Sequence, residues 1–126
     1  MISAIFLNTF FPTSKTTETD LQAKIFIEVA REAIENAETE MKFGNETENA
    51  IIETGQEDST LVSIAIWHYQ KGIERYQEAI RYLEQAKRFN ISAKYLKYIE
   101  LKIKKCLEKI RFIFTKKIQT EILLTN

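Results

Sequence analysis

The 126-residue chain is 44% hydrophobic and 29% charged, the make-up of one globular domain able to bury roughly two thirds of its unfolded surface. Three glycines and one proline are too few for a turn-rich β fold, so long helices with few connections are expected. Lys/Arg and Asp/Glu balance at eighteen each, yet residues 1–60 hold four basic against twelve acidic side chains and residues 61–126 hold fourteen against six. An acidic first helix beside a basic last one explains that division, and a basic surface awaiting an anionic partner is the sharper reading.

"MISAIFLNTFFPTSK" opens the chain. It lacks a positive residue before its apolar part and a small-residue cleavage site, so residues 1–16 are expected to be an arm packed on the domain rather than a signal peptide. The first helix is expected over about 18–43. "TTETD" supplies capping boxes at Thr17/Asp20 or Thr19/Gln22, with acids at the positive end of the helix dipole. Leu21, Ile25, Val29, Ala33, Ala37 and Met41 then recur at helical spacing, flanked by Phe26, Ala30 and Ile34. Phe43-Gly44-Asn45 reads as its stop, because glycine accepts the left-handed conformation that closes a helix.

Residues 45–58, "NETENAIIETGQED", read either as a polar loop or as a loop carrying one short helix at Ala50, Ile51 and Ile52 that Gly55 ends. The second helix is expected over 59–89, capped by Asp58 or Ser59. Its seam is Leu61, Ala65, His68, Gly72, Tyr76, Ala79, Leu83 and Ala86, close to a heptad. Asn90 ends it and Ser92 caps a third helix over 93–117, a turn tight enough to make the two antiparallel neighbours. Leu96, Ile99, Ile103, Cys106, Ile110 and Ile113 form the third seam, Phe114 and Ile118 extend it, and Lys94, Lys102, Lys105 and Lys109 fall on one solvent face. "TKKIQTEILLTN" either prolongs this helix or frays, with residues 118–126 as a tail. The expected fold is all-α, an antiparallel three-helix bundle in a single domain.

Chemistry-bearing residues are scarce. One His and one Cys exclude zinc sites built from several such ligands, and a lone cysteine excludes an internal disulfide. Cys106 and His68 both fall on seams, where a small hydrophobe and a hydrogen-bonded core histidine are the expected roles. Glu28, Glu32 and Glu35 share a helix face, but the Glu-x-x-His partner of carboxylate di-metal bundles is missing. No glycine-rich phosphate loop is present. Asn45-Glu-Thr47 and Asn90-Ile-Ser92 match the glycosylation sequon without a secretory signal. The chain is therefore expected to be no enzyme, to need no cofactor or metal, to span no membrane, and to reside in the cytoplasm. Tyr95, Tyr98, Phe112 and Phe114 interleave with the lysines of the third helix, which keeps nucleic-acid binding as a further reading, though no docking motif accompanies them.

"YQKGIERYQEAIRYLEQA" (Tyr69 to Ala86), followed by "IELKIKKCLEKIRFI" (Ile99 to Ile113), resembles the second and third helices of MIT domains, the microtubule-interacting and transport modules of ESCRT-linked proteins. Tyr76, Ala79, Tyr82 and Ala86 stand where that family's second helix carries its Tyr/Ala/aromatic/Ala pattern. Lys104, Lys105, Cys106, Leu107, Glu108 and Lys109 resemble the lysine-rich element of its third helix. Ile110 departs from the small residue the family has there, and the stretch from Gly44 to Asp58 is longer than its first connector.

The resemblance implies a free-standing interaction module that binds short C-terminal peptides of ESCRT filament subunits in a groove between helices. Its candidate lining, between the second and third helices, is Tyr76, Leu83, Leu96, Ile103 and Leu107, with Lys102, Lys105 and Lys109 pairing with acids of the peptide. The alternative is a self-assembling structural bundle of archaeal or viral scaffold type, a homo-oligomer whose N-terminal arm and Ile122–Leu124 tail bury against a neighbouring copy.

Overall fold

The computed structural model describes residues 18–54 and 59–125. These form three helices, α1 (Glu18–Thr54), α2 (Ser59–Lys87) and α3 (Ala93–Thr125), with no strand among the described residues. The N-terminal arm, the Thr17 and Asp58 caps and the Gly55 stop lie outside them. No helix of the described residues is long and apolar enough to cross a membrane.

The helices form because their apolar positions recur every seven residues. On α1 the buried row is Ala23, Ala30, Ala37, Gly44 and Ile51. Two rows run down α2, one of Val62, Tyr69, Tyr76 and Leu83, the other of Ala65, Gly72, Ala79 and Ala86. On α3 the row is Ile99, Cys106, Ile113 and Thr120. A strict seven-residue repeat imposes the shallow left-handed crossing of coiled-coil packing. Side chains as large as Tyr69, Leu83, Ile99 and Ile113 are fully buried, and each such burial contributes roughly 1.5–3 kcal/mol.

α2 is the central element. Phe26 stacks on Tyr82 and Phe89 (centroids 6.4 and 5.9 Å apart), and Glu40 meets His68 at 2.7 Å, so α1 and α2 are antiparallel. Small residues on both sides of that seam bring the backbones close: a Cβ placed on Gly72 would sit 3.7 Å from the Ala37 carbonyl oxygen. α2 turns into α3 through Arg88–Ser92. The Arg88 and Phe89 amides donate to the carbonyls of Gln85 and Ala86, and the Tyr95 amide donates to Ser92 Oγ at 3.4 Å. Ser92 thus caps α3, and Lys87 reaches Glu100 at 3.9 Å across the turn.

Two boundaries differ from expectation. α1 does not stop at Phe43-Gly44-Asn45 but continues to Thr54, so the separate helical turn at Ala50–Ile52 is part of α1. A glycine inside a helix costs about 1 kcal/mol relative to alanine, and here tertiary packing offsets it. The Tyr69 ring occupies the space a Gly44 side chain would fill, and the apolar row continues to Ile51. Likewise residues 118–125 are not a tail. α3 runs to Thr125, held by the buried Thr120.

The seams are also rotated slightly. Val62 and Tyr69 are buried where Leu61 and His68 were expected, and Ile25 is 60% exposed. His68 is half-buried, with its ring against Glu40 and beside Phe43.

Candidate docking groove

α1 and α3 both pack on α2 and scarcely on each other. They run parallel, and at one end they join. There Glu48 accepts hydrogen bonds from the Tyr69 hydroxyl (3.1 Å) and Thr120 Oγ1 (3.3 Å) and pairs with Lys116 Nζ (3.2 Å). Asn45 Oδ1 takes a second contact from the Tyr69 hydroxyl at 3.1 Å. Burial first, then the Glu48 charge, pushes the Tyr69 hydroxyl well above its usual range. At the opposite end Ile91 and Tyr95 close over Ala23 and Ile27 around about 10 Å³, room for little more than one water.

Between those closures runs an uncovered groove. One hollow, about 430 Å³, lies among Glu38, Met41, Lys42, Asn45, Glu46 and Asn49 of α1, Tyr76 of α2, and Lys109, Phe112 and Ile113 of α3. A second, about 240 Å³, adjoins it at Glu38 and is lined by Ile27, Ala30, Arg31, Ile34 and Glu35, by Leu83, and by Tyr98 and Lys102. From Ile27 to Asn49 the groove follows about 33 Å of helix. Tyr76 and Leu83 lie at its floor, both almost fully buried. Burial raises the Tyr76 hydroxyl to about 12, with the Glu38 charge and the Cys106 thiol adding to the shift, so it is a neutral group at physiological pH.

The walls differ in charge. On α1 the signs alternate, and Arg31 is held by Glu28 and Glu35 at 3.0 and 2.8 Å. On α3 the charged lining is basic only. Lys102 lies over the Tyr98 ring at 5.7 Å, and neither Lys102 nor Lys109 has an ion-pair partner among the described residues.

No protein-family model, no curated protein and no solved structure matches this chain.

The eight residues singled out from the sequence separate into two groups. Tyr76, Leu83, Lys102 and Lys109 line the two hollows. Ile103 packs against the core, Leu96 is half-buried, and Leu107 and Lys105 are exposed on α3 without lining either hollow. The hollows lie between α1 and α3 rather than between the second and third helices as expected, so the α1 wall is absent from that candidate lining. Only Asn45, Glu46 and Asn49 of that wall fall past the expected helix stop, where the continuing row Ala37, Gly44, Ile51 is the signal for an unbroken helix.

Glu28 and Glu35 clasp Arg31 rather than converge on an empty centre, and among the described residues no three of His, Cys, Asp and Glu are grouped to hold a metal ion. Cys106 is buried, and that burial raises its thiol above the ordinary range.

Proposed function

We propose that the chain is a non-enzymatic interaction module whose groove between α1 and α3 takes an acidic segment of a partner protein. The observation that carries this reading is the open groove between α1 and α3, whose α3 wall holds Lys102 and Lys109, neither ion-paired among the described residues, across from Glu35, Glu38 and Glu46 of α1. Apolar anchors in such a groove supply affinity and the flanking charges set register. The resemblance of Tyr69–Ala86 and Ile99–Ile113 to MIT helices nominates C-terminal peptides of ESCRT filament subunits as first partners to try. The test is an amide-resolved NMR titration of the labelled chain with those peptides at low and moderate salt. Saturable shifts confined to groove residues such as Glu38, Tyr98 and Lys109 support the reading. Shifts that spread over every lysine and vanish with salt reduce it to nonspecific electrostatics.

A second reading, self-assembly, has its own observation. Leu107, Phe114, Ile118 and Ile122 are between 43% and 52% exposed and fall on one face of α3. Sedimentation separates the two. A monomer at high micromolar concentration removes self-assembly, whereas a mass that rises with concentration and falls in a Phe114→Lys variant favours it.

A further inference from the structure

The outward face of α3, opposite the buried row Ile99, Cys106 and Ile113, carries charge of almost one sign. Lys94, Lys97, Lys104, Lys105 and Arg111 are all exposed on it, and Glu108 is the one acid among them. None of the five has an ion-pair partner among the described residues, and none lines either hollow of the groove. α1 holds ten acidic against three basic residues, and α3 nine basic against three acidic. The balanced chain is therefore strongly polar across its width, with α3 as the side that attracts anions.

Two flat rings stand on the same face. Tyr98 is 46% and Phe112 58% exposed, and the fourteen residues between them span about 21 Å of helix. Lys105 lies midway in their row, while Lys97, Lys104 and Arg111 form a second row with the same seven-residue step. A cation lies near each ring, Lys102 at 5.7 Å from Tyr98 and Lys116 at 5.9 Å from Phe112. The remaining aromatic residues of α3 sit elsewhere. Tyr95 lines the closure over Ala23 and Ile27, and Phe114 shares a face with Leu107 and Ile118.

Lysines alone would serve any polyanion. Exposed rings beside a row of cations fit a polyanion that also carries flat groups free to stack, which is a nucleic-acid strand with unpaired bases. We infer that the outward face of α3 binds single-stranded nucleic acid, with phosphates along Lys97, Lys104 and Arg111 and bases on Tyr98 and Phe112. This goes beyond the groove reading and uses other basic residues; only the two rings, which stand at the groove's rim, are common to both.

The test titrates the full chain into labelled oligothymidine of about fifteen nucleotides, followed by fluorescence anisotropy between about 50 and 200 mM salt. Four phosphate contacts, at Lys97, Lys104, Lys105 and Arg111, predict that log K falls with log salt at a slope of about −3. Lys104→Gln/Arg111→Gln is expected to bring that slope to about −1.5. Tyr98→Ala/Phe112→Ala should weaken binding at least tenfold with the slope unchanged, and Tyr98→Trp/Phe112→Trp should restore it. Trp67 and Phe114 are exposed to a similar degree away from this face, so Trp67→Ala/Phe114→Ala should bind within twofold of the parent. All these positions are on the surface, and circular dichroism checks that the helices persist. No binding at the lowest salt overturns the inference. So does an unchanged affinity in the Tyr98→Ala/Phe112→Ala variant, or displacement by inorganic polyphosphate as effective as by unlabelled oligothymidine, because then only charge is read. Tighter binding to a duplex of the same length would overturn the role given to unpaired bases. Each of these failures leaves the groove reading standing, since the Lys104→Gln/Arg111→Gln variant keeps Lys102 and Lys109 and should still take an acidic peptide.

Discussion

The ring of Tyr69 rests in the notch that Gly44 leaves on α1. A Cβ at Gly44 would stand 2.6 Å from Tyr69 Cε1 and 2.8 Å from Cδ1, closer than carbon atoms pack. The ring cannot swing aside freely, because it is fully buried and its hydroxyl is tied to Asn45 and Glu48. Gly44→Ala is therefore expected to destabilise the chain by about 1–3 kcal/mol, against the roughly 1 kcal/mol that alanine ordinarily gains inside a helix. Urea denaturation measures it. In a Tyr69→Leu background the same substitution should become neutral or stabilising. A Gly44→Ala chain more stable than the parent would show that the notch does not hold the ring.

Glu48 gathers groups from all three helices at the closed end of the groove. Glu48→Gln keeps its shape but removes the charge that faces Lys116, and it leaves the Tyr69 and Thr120 hydroxyls with a weaker acceptor. The expected cost is about 1–3 kcal/mol. Hydrogen exchange should quicken together at residues 45–54 of α1 and 113–125 of α3. Faster exchange in α1 alone would mean that the cluster does not couple the two helix ends.

That cluster also marks where the sequence was hard to read. Composition and the three-four spacing were enough for the helices, their order, the Ser92 cap and most of the α2 seam. Gly44 misled, because a glycine followed by Asn is a common helix stop, and the ring that fills its notch lies 25 residues further on. Thr120 was equally silent, since a threonine near the end of a chain reads as tail until its hydroxyl is seen beside Glu48. Of the groove's α1 wall, Asn45, Glu46 and Asn49 lie past that apparent stop. Tyr76, Leu83, Lys102 and Lys109 were legible because α2 and α3 keep their apolar rows without interruption.

Alkaline pH should unfold the chain through its buried tyrosines. Burial and the Glu48 charge raise the Tyr69 hydroxyl, and burial raises Tyr76 to about 12. An acid whose folded pKa lies above its unfolded value near 10 contributes stability that is fully present below pH 10. That stability is lost as pH rises through the folded value. Phenolate absorbance of these two residues is expected to appear only with the loss of helical circular dichroism, above about pH 11. Two ring titrations completed near pH 10 with the helix content intact would contradict their burial.

Cys106 offers a probe of the α2–α3 seam. It is 2% exposed and its thiol is raised by burial, with Lys102 opposing the shift. Aromatic disulfide reagents are expected to leave it unmodified in native buffer and to react within seconds in denaturant. The slow native rate should rise with any substitution that loosens α3, Glu48→Gln included. Fast native labelling would mean that α3 opens from α2 readily.

The proposed function places the partner in the α1–α3 groove rather than on the basic surface at large. The direct measurement compares two charge reversals of equal size and equal spacing on α3 by calorimetry with the same acidic peptide. Lys102→Glu/Lys109→Glu alters the groove wall, and Lys97→Glu/Lys104→Glu alters exposed positions that line neither hollow. All four lysines lack an ion-pair partner among the described residues, so stability should hold in both variants. The groove variant is expected to lose tenfold or more in affinity and the other less than threefold. Equal losses in the two would contradict the groove and leave only a diffuse basic surface.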